Sequence, residues 1–187
     1  ISYSVTGVQT CALPIFQSEA KALEALGVEF KLNYLIGRTR PLISLLAEDG
    51  FDAAFVGVGA GLPKFMEMPG ENLVGVFSAN EYLTRANLMK AYDRNHAYTP
   101  IYPSRRVAVL GGGNVAMDSA RMALRLGAEE VRVLYRRTRE EMPARAEEVE
   151  HAMEEGIRFD FLSRPVGVLS DSEGKAAGLR GQAFRLG

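Results

Sequence analysis

Cysteine is almost absent: a single residue, Cys11, stands in a chain of 187. Its isolation excludes an internal disulfide framework, a C-x-x-C redox pair and a thiolate-held cluster built from this chain alone. Any iron–sulfur centre working with the chain is expected in a missing segment or a partner. Long hydrophobic runs are also lacking. Without about 18 consecutive apolar residues no segment is expected to span a bilayer, and the first residues lack the basic-then-apolar order of an export signal. Charge of one sign is missing too, because 22 basic and 23 acidic residues intermingle to a formal net charge of −1. That balance leaves no electrostatic footprint for nucleic acid or a membrane surface. Only two histidines occur, His96 in a polar stretch and His151 on a charged helix face, and both are expected as solvated surface groups with no metal or catalytic role. What remains is 47% hydrophobic and 24% charged, the composition of a soluble domain acting on small molecules in the cytoplasm.

The two ends stand apart from the rest. Val5 to Ile15 matches the translation of a common DNA-sequencing adapter, so residues 1–15 are expected to be non-native and Cys11 to carry no biological meaning. At the other end Leu179 to Leu186 alternates apolar and polar residues as a strand does, with no partner following it before Gly187. The chain is expected to be an internal fragment.

Between the ends the hydrophobic period alternates between helical and strand spacing. Ala20, Leu23 and Leu26 recur at helical intervals, whereas Val28, Phe30 and Leu32 alternate. A helix–glycine–strand signature occurs three times, at Gly27, Gly127 and Gly156, each glycine suiting the left-handed residue that ends a helix. Phe51 to Val58 is expected as a short strand and Ser78 to Tyr92 as a helix. The polar segment Asp93 to Pro103 is expected to connect domains. Arg106 to Leu110 then predicts a buried parallel strand, Asn114 to Leu126 a helix and Val131 to Tyr135 a second strand. Helix Ala144 to Glu155 and strand Ile157 to Leu162 follow. The fold class is α/β, with a Rossmann-like parallel sheet.

The chemistry concentrates at Gly111-Gly112-Gly113-Asn114-Val115-Ala116, which fits G-x-G-x-x-A between a strand and a helix. Gly111 permits the tight turn, Gly113 lets the backbone approach a pyrophosphate, and Ala116 lets the helix pack closely on the strand. The helix N-terminus offers free N–H groups and the positive end of its dipole to the anion. Where an NAD site carries an acidic residue for the ribose 2′-OH, this chain places Arg136 and Arg137. A carboxylate would repel a 2′-phosphate, whereas guanidinium groups fork onto its oxygens, so NADP(H) is favoured. Asn114 and Asp118 fall in the first helical turn, where capping and direct cofactor contact both remain open.

These residues together resemble a known family, the small-subunit type of glutamate synthase, related to adrenodoxin reductase, the large subunit of NADPH-ferredoxin oxidoreductase and the flavoprotein part of dihydropyrimidine dehydrogenase. The resemblance is carried by Gly111 to Asp118, Tyr135-Arg136-Arg137, Glu141-Met142-Pro143-Ala144, Gly57 to Pro63, and Pro69-Gly70-Glu71-Asn72. It implies a two-dinucleotide-domain flavoprotein, with 16–99 a partial FAD-binding domain and 100–187 a truncated NADP(H)-binding domain. By matching motif, Gly59 and Gly61 belong to the loop returning past FAD, Gly111, Gly112, Gly113, Asn114 and Val115 cradle the NADP(H) pyrophosphate, and Arg136 and Arg137 take the 2′-phosphate. Glu148 matches a carboxylate bordering the nicotinamide in one branch. The chain departs from the pattern in reading Gly57-Val58-Gly59 where Ala-Thr-Gly is usual, and it lacks both the first FAD glycine fingerprint and the N-terminal cysteine cluster of many members.

The resemblance further implies an NADPH-dependent oxidoreductase passing hydride between NADP(H) and FAD. Because the cofactors carry that chemistry, no catalytic side chain is nominated. Its electron partner is expected to be a glutamate synthase large subunit, making glutamate from glutamine and 2-oxoglutarate, or alternatively a ferredoxin-like protein or a sulfide or polysulfide acceptor. Two other readings stay open: an NADP(H)-binding sensor without redox chemistry, and a truncated product that is inactive by itself.

Overall fold

The computed structural model describes residues 18–59, 61–93, 95–101 and 104–185. The adapter-like stretch Val5 to Ile15 with Cys11, and also Ala60, Pro103, Leu186 and Gly187, lie outside the described residues. The chain divides into two compact units, one running to Gly59 and the other comprising everything after it.

In the first unit a helix, α1, runs over 18–25, stopped at Gly27 by the expected left-handed turn (φ 91°). A single-turn-and-a-half helix, α2 (Leu42–Ala47), follows. Arg40 holds the chain beyond it, donating from Nε to Asp49 at 2.8 Å. The strands expected at Val28 to Leu32 and Phe51 to Val58 do not form. An extended segment becomes a strand only when a neighbour takes its N–H and C=O groups, and neither stretch finds one among the described residues. Phe55 (97% exposed) and Val58 (83%) are correspondingly bare.

The second unit begins with α3 (Ala79–Asn87), whose N-cap Ser78 accepts the Glu81 N–H at 3.2 Å. This helix is shorter than its apolar spacing predicts. The chain beyond it nonetheless packs down: Ala91 and Ile101 are buried with Ala86, against Met122 and Leu126. Three parallel strands follow, β1 (Arg106–Leu110), β2 (Glu130–Leu134) and β3 (Arg158–Asp160), in that spatial order. They are joined through α4 (Asn114–Arg125) and α5 (Ala146–Glu154). Gly127 (φ 101°) and Gly156 (φ 91°) end these helices as expected.

The core forms between that sheet and those helices. Ala116, Met117, Ala120 and Ala123 of α4 meet Val131 and Val133 of β2, with Val149 and Ala152 of α5 and Ile157 closing the cluster. Val133 and Met117 have no exposed surface, and burial of a side chain of this size stabilises by about 1.5–3 kcal/mol. β1 is not the fully buried strand its sequence predicts, since Arg106 and Ala108 are exposed. Both helices cover the face that carries Val131 and Val133. The opposite face carries a charge ladder instead, with Arg132 bound to Glu130 (2.8 Å) and Asp160 (3.3 Å) and Arg158 to Glu130 (3.2 Å).

An antiparallel ribbon completes the unit: β4 (Ser163–Ser170) pairs with β5 (Ala176–Ala183), from Ser163 opposite Ala183 to Ser170 opposite Ala176. The strand expected at the C-terminal end therefore has its partner before it. The Pro69-Gly70-Glu71-Asn72 motif docks on this ribbon, the Val168 N–H donating to Pro69 at 2.8 Å and the Ala176 N–H to Val74 at 2.8 Å. Gly70 lies so close to Val168 that a Cβ there would overlap the Val168 carbonyl.

Candidate functional site

The sheet register brings two sequence features side by side. Leu110 at the end of β1 faces Leu134 at the end of β2, and the Gly111 N–H donates to the Leu134 carbonyl at 3.0 Å. Gly111 then turns with φ 128°, a conformation L side chains rarely adopt. Gly113 caps α4 in an extended conformation. No atom lies within 4 Å of where its Cβ would stand, so the backbone is open to close approach. Among the described residues the N–H groups of Gly112, Gly113, Asn114 and Val115 find no protein acceptor. Four donors at the positive end of a helix make an anion cradle.

Gly112 owes its size to something else. A Cβ there would stand 2.7 Å from the Tyr135 ring, and that ring is tethered by its hydroxyl, which donates to the Glu141 carbonyl at 2.8 Å. The G-x-G-x-x-A pattern leaves this position free, so only the third consecutive glycine hinted at a close neighbour. The Asn114 side chain does not cap its own helix. Its Oδ1 accepts the Arg145 N–H at 2.9 Å, while the Gly112 carbonyl accepts the Ala144 N–H at 3.0 Å.

Arg136 and Arg137 follow β2 after Tyr135 and are exposed. Neither forms an ion pair among the described residues, whereas neighbouring Arg132 and Arg139 are bound to Asp160 (3.3 Å) and Glu150 (3.5 Å). Glu148 faces Arg121 at 3.0 Å, and Arg121 also binds Glu155 at 2.7 Å. Asp118 lies near this group. Partial desolvation first, and Glu148 second, raise its carboxyl above the ordinary range, against the pull of Arg121 and Arg125.

Gly59 belongs to the first unit, with φ 65°, and Gly61 to the second; no atom stands within 4 Å of where either Cβ would be. Beyond Gly61 the chain lines a cleft of about 1030 Å³, with Leu62, Lys64 and Phe65 on one side and Gly111, Gly113 and Val115 on the other. Among the described residues His96 pairs only with Asp93, at 2.9 Å, and its side chain is 81% exposed, the solvated position expected of it. No group of three or more metal-ligating side chains occurs among the described residues. No helix among them is long and apolar enough to cross a membrane.

Residues 45–182 match the family model described as pyridine nucleotide-disulphide oxidoreductase. The NADPH glutamate synthase small chain of Halomonas elongata is 38% identical over 98% of this chain and 40% of its own length. The beta subunit of the NADP(+)-dependent formate dehydrogenase of Moorella thermoacetica is 37% identical over 97% of this chain and 25% of its own. The resemblance expected from the motifs is thus borne out, and this chain spans well under half of either relative. Among solved structures, Mycobacterium tuberculosis FprA in complex with NADPH superposes with a TM-score of 0.59 at 18% identity, covering 82% of this chain and 51% of that one. This supports the Rossmann-like α/β fold.

Proposed function

The chain belongs to the pyridine nucleotide-disulphide oxidoreductase family, and from that premise we propose that it is part of an NADPH-dependent flavin oxidoreductase passing hydride between NADP(H) and FAD. One observation carries the proposal. The four unpaired N–H groups at the start of α4 lie at the end of β1, and two arginines without acidic partners follow the adjacent end of β2. Pyrophosphate on Gly111, Gly112, Gly113, Asn114 and Val115, with a 2′-phosphate on Arg136 and Arg137, satisfies both charge distributions. NADP(H) would supply the hydride. The protein supplies binding and orientation.

In this reading 16–99 is a partial FAD-binding domain and 100–187 the NADP(H)-binding domain. Gly59 and Gly61 would serve FAD. The residues present do not build a flavin site by themselves, since no second glycine fingerprint accompanies them, so the isolated chain is expected to be inactive. The bare Phe55, Val58 and Leu62 (89% exposed) favour a longer protein that covers them. The relatives named as a small chain and a beta subunit support a subunit of a larger assembly, which in this reading works in the cytoplasm and feeds a glutamate synthase large subunit or a ferredoxin-like partner. Residues 1–15 are best regarded as adapter-derived.

The test uses the full-length protein carrying Arg136→Glu and Arg137→Glu. Charge-assisted hydrogen bonds contribute about 1.5–3 kcal/mol each, so NADPH binding should weaken by roughly a hundredfold or more while NADH binding changes far less. Equal loss for both would remove the 2′-phosphate assignment.

A further inference from the structure

The Glu141-Met142-Pro143-Ala144 motif contributes no group to the anion cradle, yet its backbone is tied to the glycine loop from two directions. At its far end the Ala144 N–H donates to the Gly112 carbonyl (3.0 Å) and the Arg145 N–H to Asn114 Oδ1 (2.9 Å). At its near end the Tyr135 ring lies on Gly112 and its hydroxyl donates to the Glu141 carbonyl (2.8 Å). Between them Thr138 donates twice to the Glu141 carboxylate, from its N–H at 3.1 Å and from its hydroxyl at 3.3 Å. Met142 and Ala144 pack on the core cluster. Residues 135–145 therefore form a closed loop with both ends fastened to the anion cradle, and Arg136 and Arg137 lie inside it.

We propose that the side chains of Asn114 and Tyr135 are positioning residues for cofactor choice: they hold the Arg136 and Arg137 segment in fixed register with the glycine loop, and so set the preference for a 2′-phosphorylated dinucleotide without binding it. This rests on the assignment of the arginines to the 2′-phosphate. The physical reason is preorganisation: the Arg137 carbonyl is already held by the Leu162 N–H at 3.1 Å, and the two clamps fix the rest of the loop against the glycine loop, so that less ordering remains when the phosphate arrives. Asn114 suits this role, because only its amide oxygen can accept the Arg145 N–H and the hydrogen bond itself fixes which way the amide faces. Tyr135 acts from the other end of the loop, through the Glu141 carbonyl.

The experiment measures NADP+ and NAD+ binding calorimetrically in full-length protein, for wild type, Asn114→Ala, Asn114→Asp and Tyr135→Phe, with the Tm of each recorded. The readout is the ratio of the two Kd values. Each clamp lost should lower the preference for NADP+ about tenfold, the equivalent of one hydrogen bond. Asn114→Asp keeps an acceptor for Arg145, and its added charge acts on the pyrophosphate common to both cofactors, so its ratio should stay within about threefold of wild type. Tyr135→Phe retains the ring over Gly112 and is the variant safest for folding. Equal weakening of both cofactors by Asn114→Ala would make that side chain a direct pyrophosphate ligand and overturn the proposal. An unchanged ratio in Tyr135→Phe would overturn it as well. A wild type with no preference for NADP+ would fail differently, removing the assignment underneath.

Discussion

Replacing Gly112 by alanine tests the packing that joins the glycine loop to the loop bearing Arg136 and Arg137. The new Cβ would stand 2.7 and 2.8 Å from two Tyr135 ring carbons and 3.1 Å from a third. Relief requires the ring to retreat by roughly 0.7 Å, the distance to ordinary carbon contact in a close-packed interior. The ring is not free to do so, because its hydroxyl is bonded to the Glu141 carbonyl at 2.8 Å. Overpacking costs about 1–3 kcal/mol and the strained or broken hydrogen bond about 0.5–1.5 kcal/mol. A loss of about 2–4 kcal/mol in unfolding free energy is therefore expected. Urea unfolding of full-length protein without nucleotide measures it free of ligand linkage. The decisive arm is Gly112→Ala placed in a Tyr135→Ala background, where the obstructing ring is gone. There the glycine substitution should cost less than about 0.5 kcal/mol, giving a coupling above about 1 kcal/mol between the two sites. A neutral single mutant, or the same cost in both backgrounds, would refute the contact as the reason for Gly112.

Two further outcomes follow from the core and its rim. Met117 has no exposed surface, so Met117→Ala should destabilise by about 2–5 kcal/mol in the same assay; a loss below about 1 kcal/mol would mean that the α4–sheet interface is loosely filled. Asp118 holds its proton more tightly folded than unfolded, because its pKa is raised above 3.8. Its contribution to stability is fully present below the unfolded pKa and is lost as pH rises through the higher folded one. Asp118→Asn removes that loss, so its stability relative to wild type should grow as pH rises from the unfolded pKa through the folded one, and an advantage that shrinks over that rise would contradict the assigned cause.

Features fixed by local chemistry are legible in the residues alone. Gly27, Gly127 and Gly156 announce helix ends because the left-handed turn is a property of one residue and its neighbours, and all three have positive φ. The glycine loop, α4 and β2 are legible for the same reason, their periods being intact over whole elements. Extended segments are less so. Val28 to Leu32 and Phe51 to Val58 have the alternation or apolarity of strands, but pairing depends on residues distant in sequence. β4 is not legible at all, since a strand containing Pro165 and Gly167 lacks the usual pattern and is held by its pairing with β5 and by Pro69.

By itself the sequence determined which residues we propose to meet an anion: three glycines opening a helix, and two arginines where an acidic residue would select NAD, both consequences of residue type at fixed spacing. Only the tertiary structure decided how those two features are joined. Gly112 is small because the ring of Tyr135 lies on it, and Asn114 spends its side chain on the backbone of Arg145, 31 residues away. Such contacts are made when two parallel strands come into register, and no local pattern in the chain encodes the distance between them.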